Sequence, residues 1–429
     1  MTFSLPSTPL SRRSLMRLAG LAGLGGAAGS LAACAGAPGS DADDNAFTVY
    51  WNAGHAYQAY DKVIEEFEKE HGVTVNLQKF QWPDLRTRLL SDFQSGSVPD
   101  LVESSGGWVR EFAVSKDALS LQSRVDADGA EMGFPDDWQP QSLELNTFED
   151  ETYGIQLHLT CTLLFYNKTM LADANVDVPT TWDELLDAAK KLTSGDVHGI
   201  ALNQDHSYSW PWMLQNGVAY YDAETKDFLT PHDAALEALQ FQQDLVHKHK
   251  VSPTPTPGTD YSGPQKLLSA NRAAMILTGP WDLAPIAESS PDLDVGIAPV
   301  LRGKEQATLQ AGAGMFIPAK AKDPDMSWDF VKRITALEVE LAATEEADML
   351  MPRLSWAEEP EVQDNELFKP FADSFEYAVA HEADLALTGK SGDVGELYKT
   401  LYQGVVINAD PPEEALQTFL DAAGKLVKD

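Results

Sequence analysis

The stretch that most constrains the fold is GIQLHLTCTLLFYNKTMLADANVDVPTTWDELLDAAKKL, residues 154–192. Leu163, Leu164, Phe165 and Tyr166 form a short unbroken apolar run, the pattern of a strand covered on both faces. Asn167 and Lys168 end it. Beyond a polar turn, Thr181 and Glu184 have capping-box spacing, and Trp182, Leu185, Leu186 and Ala189 fall on one face of the helix that follows. A doubly covered strand feeding an amphipathic helix needs a sheet and a further layer to pack against, so the chain is α/β.

The same alternation opens the folded part. Phe47 to Trp51 reads as a strand, and Tyr60, Val63, Ile64 and Phe67 then recur at helical spacing until Gly72. Val73 to Leu77 returns as a strand, a helix from Asp84 places Leu85, Leu89 and Phe93 on one side, and Leu101 and Val102 start the next strand. This is a doubly wound parallel sheet, which binds ligands at the carboxyl ends of its strands. The residues after Tyr50 and after Val102 are therefore the first places to seek a site. Further on, Ser252 to Gly258 is a stiff proline-rich connection. A helix carries Trp328, Val331 and Ile334, and Asp410 and Pro411 start a last helix with Leu416, Phe419, Leu420 and Leu426 at core spacing.

With 429 residues the chain is long enough for two cores. Its formal net charge of −35 disfavours nucleic acid, anionic headgroups and anionic substrates as partners. A solvated surface accounts for the acidity itself. Ser11, Arg12, Arg13, Ser14, Leu15 and Met16 resemble a twin-arginine export signal, and the small-residue stretch after them is too short for a stable membrane span. It ends in Leu31, Ala32, Ala33 and Cys34, which resembles a lipobox: residues 1–33 are the expected signal peptide, Cys34 the lipidated residue, and 34–45 a flexible tether. Cys161 is then left alone, with no disulfide possible, as a core residue.

Tyr166, Asn167 and Lys168, followed by Pro179 to Glu184, resemble the signature of the extracellular solute-binding proteins of ABC importers, in the sugar-binding family that includes maltose-binding proteins. Three later segments resemble the family in the same order: Ser209, Trp210, Pro211; Ala274 to Gly279 with Pro280 and Trp281; and Val406 to Ala409. The resemblance implies a two-lobe periplasmic-binding-protein-like fold with strand crossovers and a helical C-terminal region. It sets the N-terminal lobe at 46–160 plus 270–317, with Ala273 to Leu277 rejoining the first sheet, and the C-terminal lobe at 161–269 plus 318–429. It also implies a monomeric extracytoplasmic receptor, anchored to the membrane through Cys34, that passes a neutral mono- or oligosaccharide to the transmembrane permease subunits.

Sugars are held by ring faces that cover C–H patches and by polar groups that pair with hydroxyls. Trp281 resembles the stacking tryptophan of the family's Gly, Pro, Trp motif, and Tyr208, Trp210, Trp108 and Tyr398 are further ring candidates. Asp205 falls where a family carboxylate meets hydroxyls. Asn52 and His55 follow the first strand, and Glu103, Ser104 and Ser105 end the third. His158 and Thr160 lie at the lobe crossing, Arg353 is a candidate clamp or the partner of an acid such as Glu358, and Gly312 and Gly314 allow close backbone approach. From Ser104 to Gly107 the chain departs from the maltose-binding pattern, which leaves the sugar's identity open.

His55 is read as a hydrogen-bond donor, because no second histidine or cysteine stands at short metal-ligand spacing. No cofactor and no metal are expected. Nucleophile elbows, phosphate loops and paired metal motifs are absent from the sequence, which argues against an enzyme. The alternatives are the same fold binding a peptide, polyamine or metal complex, or a surface glycosidase using two cleft carboxylates.

Overall fold

The computed structural model describes residues 45–256 and 261–428. The export signal, the lipobox with Cys34, most of the tether and the end of the proline-rich connection at Gly258 lie outside them. None of the described helices is long and apolar enough to cross a membrane.

The N-terminal alternation is realised. Strands β1 (Ala46–Asn52), β2 (Thr74–Phe80) and β3 (Leu101–Ser105) are parallel, with β1 central. The helix between β1 and β2 spans Asp61–His71 and buries Val63 and Phe67; it stops at Gly72, whose φ of 66° is the left-handed cap that glycine adopts without steric cost. A small hairpin of β4 (Thr147–Phe148) and β5 (Glu151–Thr152) leads into β6 (Gly154–Cys161), which is buried throughout, and then β7 (Leu163–Asn167).

Thr181 caps the helix Trp182–Leu192 by accepting from the Glu184 amide, and Asn167 caps Lys168–Asp173 in the same way. Glu184 returns its carboxylate to the amide and hydroxyl of Thr180. A second hairpin pairs β8 (Ala219–Asp222) with β9 (Asp227–Thr230). Strands β10 (Met275–Thr278), β11 (Val295–Ile297), β12 (Thr308–Phe316) and β13 (Ala378–Val379) complete the set.

The larger sheet has the order β13-β12-β3-β1-β2, with β6 also pairing β12. Strand β12 runs antiparallel to both β3 and β6, and its register against β6 slips between Ala313 and Gly314. The smaller sheet is β10-β7-β11, antiparallel throughout. The run Ala273 to Leu277 therefore does not rejoin the first sheet: it pairs with β7, and the strand that returns beside β3 is β12.

Two large apolar cores result. Leu164, Met275 and Leu277 pack with Leu185, Trp212, Tyr398, Leu416 and Phe419. Leu163, Phe165 and Ile276 pack with Phe47, Val49, Phe67 and Leu157. Alternate residues of β7 and β10 thus enter different cores, as a doubly covered strand requires.

Trp328, Val331, Ile334, Trp356 and Phe371 also join the core built on β1. This departs from the expectation that 318–429 belongs wholly to the second lobe. Amphipathic spacing fixes which helix face is buried, not which core receives it. The final helix, Pro412–Lys428, does pack on the second core, and Cys161 is buried and unpaired.

Candidate functional site

The site grows from the carboxyl ends of β1 and β3, as parallel α/β topology dictates. Asn52 closes β1, and its side chain accepts from the Gly54 amide at 2.8 Å, turning Ala53–His55 into one tight helical turn. That turn brings His55 Nδ1 to 2.5 Å from Glu103 Oε1. The other oxygen, Oε2, accepts from the Asn52 amide at 2.6 Å. Glu103 is wholly buried, so both oxygens depend on these protein partners for the hydrogen bonds that water would otherwise supply.

His158 arrives from β6, across β12. Its Nε2 shares a 3.0 Å hydrogen bond with the Tyr60 hydroxyl, while its Nδ1, buried and without a hydrogen-bond partner, lies 3.9 Å from Glu103 Oε1. Burial, reinforced by the nearby His55, holds His158 well below the ordinary imidazole pKa, so it is neutral at pH 7. The rings of His55 and His158 meet edge to face at 4.7 Å. Short-range spacing in the sequence could not reveal His158 as a neighbour of His55, because the sheet supplies the proximity.

Partly exposed rings surround this buried cluster. Trp82 stands edge-on to His55 and to Trp108, each at 5.7 Å, and Arg86 lies over the Trp108 face at 5.3 Å. Trp82 and Tyr57, whose ring lies 5.8 Å from that of His158, were not among the residues singled out from the sequence. The signal for Trp82 was present, since it follows the end of β2 as His55 follows β1 and Trp108 follows β3. Ser105 is half-buried at the end of β3, whereas the Ser104 hydroxyl is committed to the Gly314 carbonyl at 3.0 Å.

In a separate cluster, Asp205 caps the turn His206–Ser209 and remains partly exposed. Tyr208 accepts from Trp281 Nε1 at 3.1 Å, and the two rings stand edge to face. Trp281 folds back over Gly279, where a Cβ would come within 2.3 Å of the indole. Here glycine is required by close approach.

Trp210, Tyr398 and Arg353 are among the sequence candidates packed inward. Trp210 and Tyr398 stack on each other at 4.4 Å, both buried, and the Tyr398 hydroxyl donates to Ser209 Oγ. Arg353 pairs with Asp137 at 2.9 Å and lies 3.4 Å from buried Glu340, not with Glu358. Thr160 is wholly buried, and Gly312 and Gly314 allow β12 to lie close against β6 and Asn146.

The segment around His381 and Glu382 gave no sequence signal, because it follows no long strand. Glu382 accepts from the Gly107 amide at 3.3 Å, while the His381 ring lies 4.5 Å from Trp210 and parallel to Tyr220 at 5.7 Å. Burial, with a smaller contribution from His206, pushes His381 down to about 3.

Above pH ~6.5 the ring is neutral folded or unfolded, and as pH falls towards 3 only the unfolded chain takes up the proton, so stability is lost. Between about pH 7 and pH 5 the wild type should lose roughly 2 kcal/mol more than His381→Gln. Urea unfolding at the two pH values checks this.

A groove of about 510 Å³ between Ile297–Val300 and Glu366–Tyr377 lies elsewhere and lacks such a buried polar cluster. Over 303 residues the chain is 25% identical to a maltooligosaccharide ABC transporter solute-binding lipoprotein of Streptococcus pneumoniae, covering 68% of each chain. Over 289 residues it is 22% identical to an arabinooligosaccharide-binding protein of Bacillus subtilis, covering 64% of this chain and 65% of that one. Its fold is similar to that of the GacH receptor of Streptomyces glaucescens, solved unliganded and with acarbose, at a TM-score of 0.77 and 26% identity, covering 90% of this chain and 99% of that one. It also matches the fold of an ABC transporter solute-binding protein from Thermotoga lettingae bound to α-D-tagatose, at a TM-score of 0.78 and 24% identity, covering 89% and 100% respectively. Residues 52–340 match one family throughout, from Asn52 at the close of β1 to Glu340 beside Arg353, and the chain accordingly belongs to the bacterial extracellular solute-binding proteins.

Proposed function

We propose that this chain is the membrane-anchored receptor of an ABC importer and captures a neutral mono- or oligosaccharide between its lobes for delivery to the permease. The observation that carries the reading is the pairing of part-exposed rings with buried polar groups at strand ends: Trp82, Trp108 and His55 beside Glu103 and Asn52 in one lobe, and Trp281 with Tyr208 near Asp205 in the other. The names of the relatives, which bind maltooligosaccharides and arabinooligosaccharides, support the same class of ligand.

Calorimetry or tryptophan fluorescence against a panel of both oligosaccharide series tests it. A saccharide should bind, and Trp281→Ala should weaken it about tenfold, because covering about 60 Å² of apolar sugar surface contributes roughly 1.5 kcal/mol. Binding of a peptide or polyamine with no saccharide response would reject the sugar. Anchoring rests on Leu31 to Cys34. Cys34→Ser should move the expressed protein from the detergent phase to the aqueous phase on partitioning.

A further inference from the structure

His55, Glu103 and His158 come from three separate segments and present one ligand atom each, all within 4.8 Å of one another. We propose that these three side chains form a binding site for a divalent transition-metal cation of the zinc class, beneath the ring-lined opening.

Four observations support it. The donor set is two imidazoles and one carboxylate, which suits zinc and its neighbours and not calcium or magnesium, whose sites are built of oxygen. His158 Nδ1 is buried, lacks a hydrogen-bond partner and lies 3.9 Å from Glu103 Oε1, so a lone pair is available where a cation would sit. Partners for the remaining atoms of His158 and Glu103 are already in place. Tyr60 holds His158 Nε2, and the Asn52 amide holds Glu103 Oε2, which are the outer contacts that orient metal ligands. Finally, the adjustment needed is small. Ligand atoms at tetrahedral angles with bonds of about 2.0–2.1 Å lie about 3.3 Å apart. The His55 to Glu103 distance of 2.5 Å must open and the His158 to Glu103 distance of 3.9 Å must shorten. His55 is free to make the first of these movements, since it sits on a short turn with its side chain 17% exposed, and the second is a sub-ångström approach of the His158 and Glu103 side chains. The same exposure gives the ion a route in and leaves a fourth position for water or a ligand hydroxyl.

This inference does not depend on the sugar reading, and the two can fail separately. The experiment is calorimetric titration of the purified chain with Zn²⁺ at about 0.15 M salt, which screens the acidic surface. Sugar titrations with chelator present report on the other reading. One equivalent of Zn²⁺ should bind. His55→Ala and Glu103→Gln should each weaken it by at least about 100-fold, and Tyr60→Phe, which removes only an outer contact, by about 10–100-fold. Melting curves of each variant without metal establish that the fold is retained. Absence of stoichiometric binding, or binding that His55→Ala and Glu103→Gln leave within about threefold of wild type, would overturn the proposal, the latter because the ions would then lie on surface carboxylates.

Discussion

Replacing Arg353 with alanine should lower the unfolding free energy by about 3–5 kcal/mol, the range for removing one partner from a buried charged network. Its guanidinium donates to the Thr335 carbonyl from Nη2 at 2.6 Å and to the Met132 carbonyl from Nη1 at 2.8 Å. It also pairs with Asp137 and lies 4.0 Å from the centre of the Trp138 ring. Alanine strands these acceptors inside the protein and leaves a cavity beside Trp138. Glu340 is the informative contrast. Although Arg353 Nε lies 3.4 Å away, burial dominates and pushes the Glu340 carboxyl well above its usual range. A group that favours its protonated form is mimicked by an amide, so Glu340→Gln should cost less than about 1 kcal/mol. Guanidinium unfolding of the two variants side by side measures the difference; equal losses would show that Glu340 carries a full charge.

Gly312→Ala should cost about 3 kcal/mol or more and should weaken ligand binding as well. Gly312 has a φ of 127°, and a Cβ there would lie 2.0 Å from the His158 carbonyl oxygen, which is backbone and cannot rotate away. Strand β12 would have to separate from β6 beside the Ala313–His158 pair, where the His158 side chain meets Tyr60 and Glu103. Stability and site geometry are therefore linked at this residue. Gly395→Ala is the control. It lies in the helix Ser391–Tyr402 with open space around the added methyl, and should be neutral or stabilising by up to about 1 kcal/mol. Thermal melts of both variants, with a sugar titration of Gly312→Ala, test the pair.

Local patterns in the sequence translated well into elements. The run Leu163 to Tyr166, the Thr181 cap and the Gly72 stop all occur where spacing placed them, because each depends on residues within one or two turns. Sheet membership was harder to read. Nothing in Ala273 to Leu277 distinguishes pairing with β7 from a return to the first sheet, since strand pairing is a long-range choice. The same limit applied at the site. His55 and Glu103 were accessible to the rule about strand ends, whereas the contact of His55 with His158 is made by the sheet as a whole. Trp210, Tyr398 and Arg353 show the converse limit: an aromatic or arginine in a family-like position carries no label for inward or outward, and packing turned all three inward.

The small antiparallel sheet has a consequence for how the molecule comes apart. Leu164 and Phe165 are neighbours on β7, yet one is a member of each core. Loss of either core strips one side of that strand and exposes the apolar residues that the other side had been sharing. Melting should therefore be cooperative across both halves, with a single calorimetric transition where two separately tethered domains would show two.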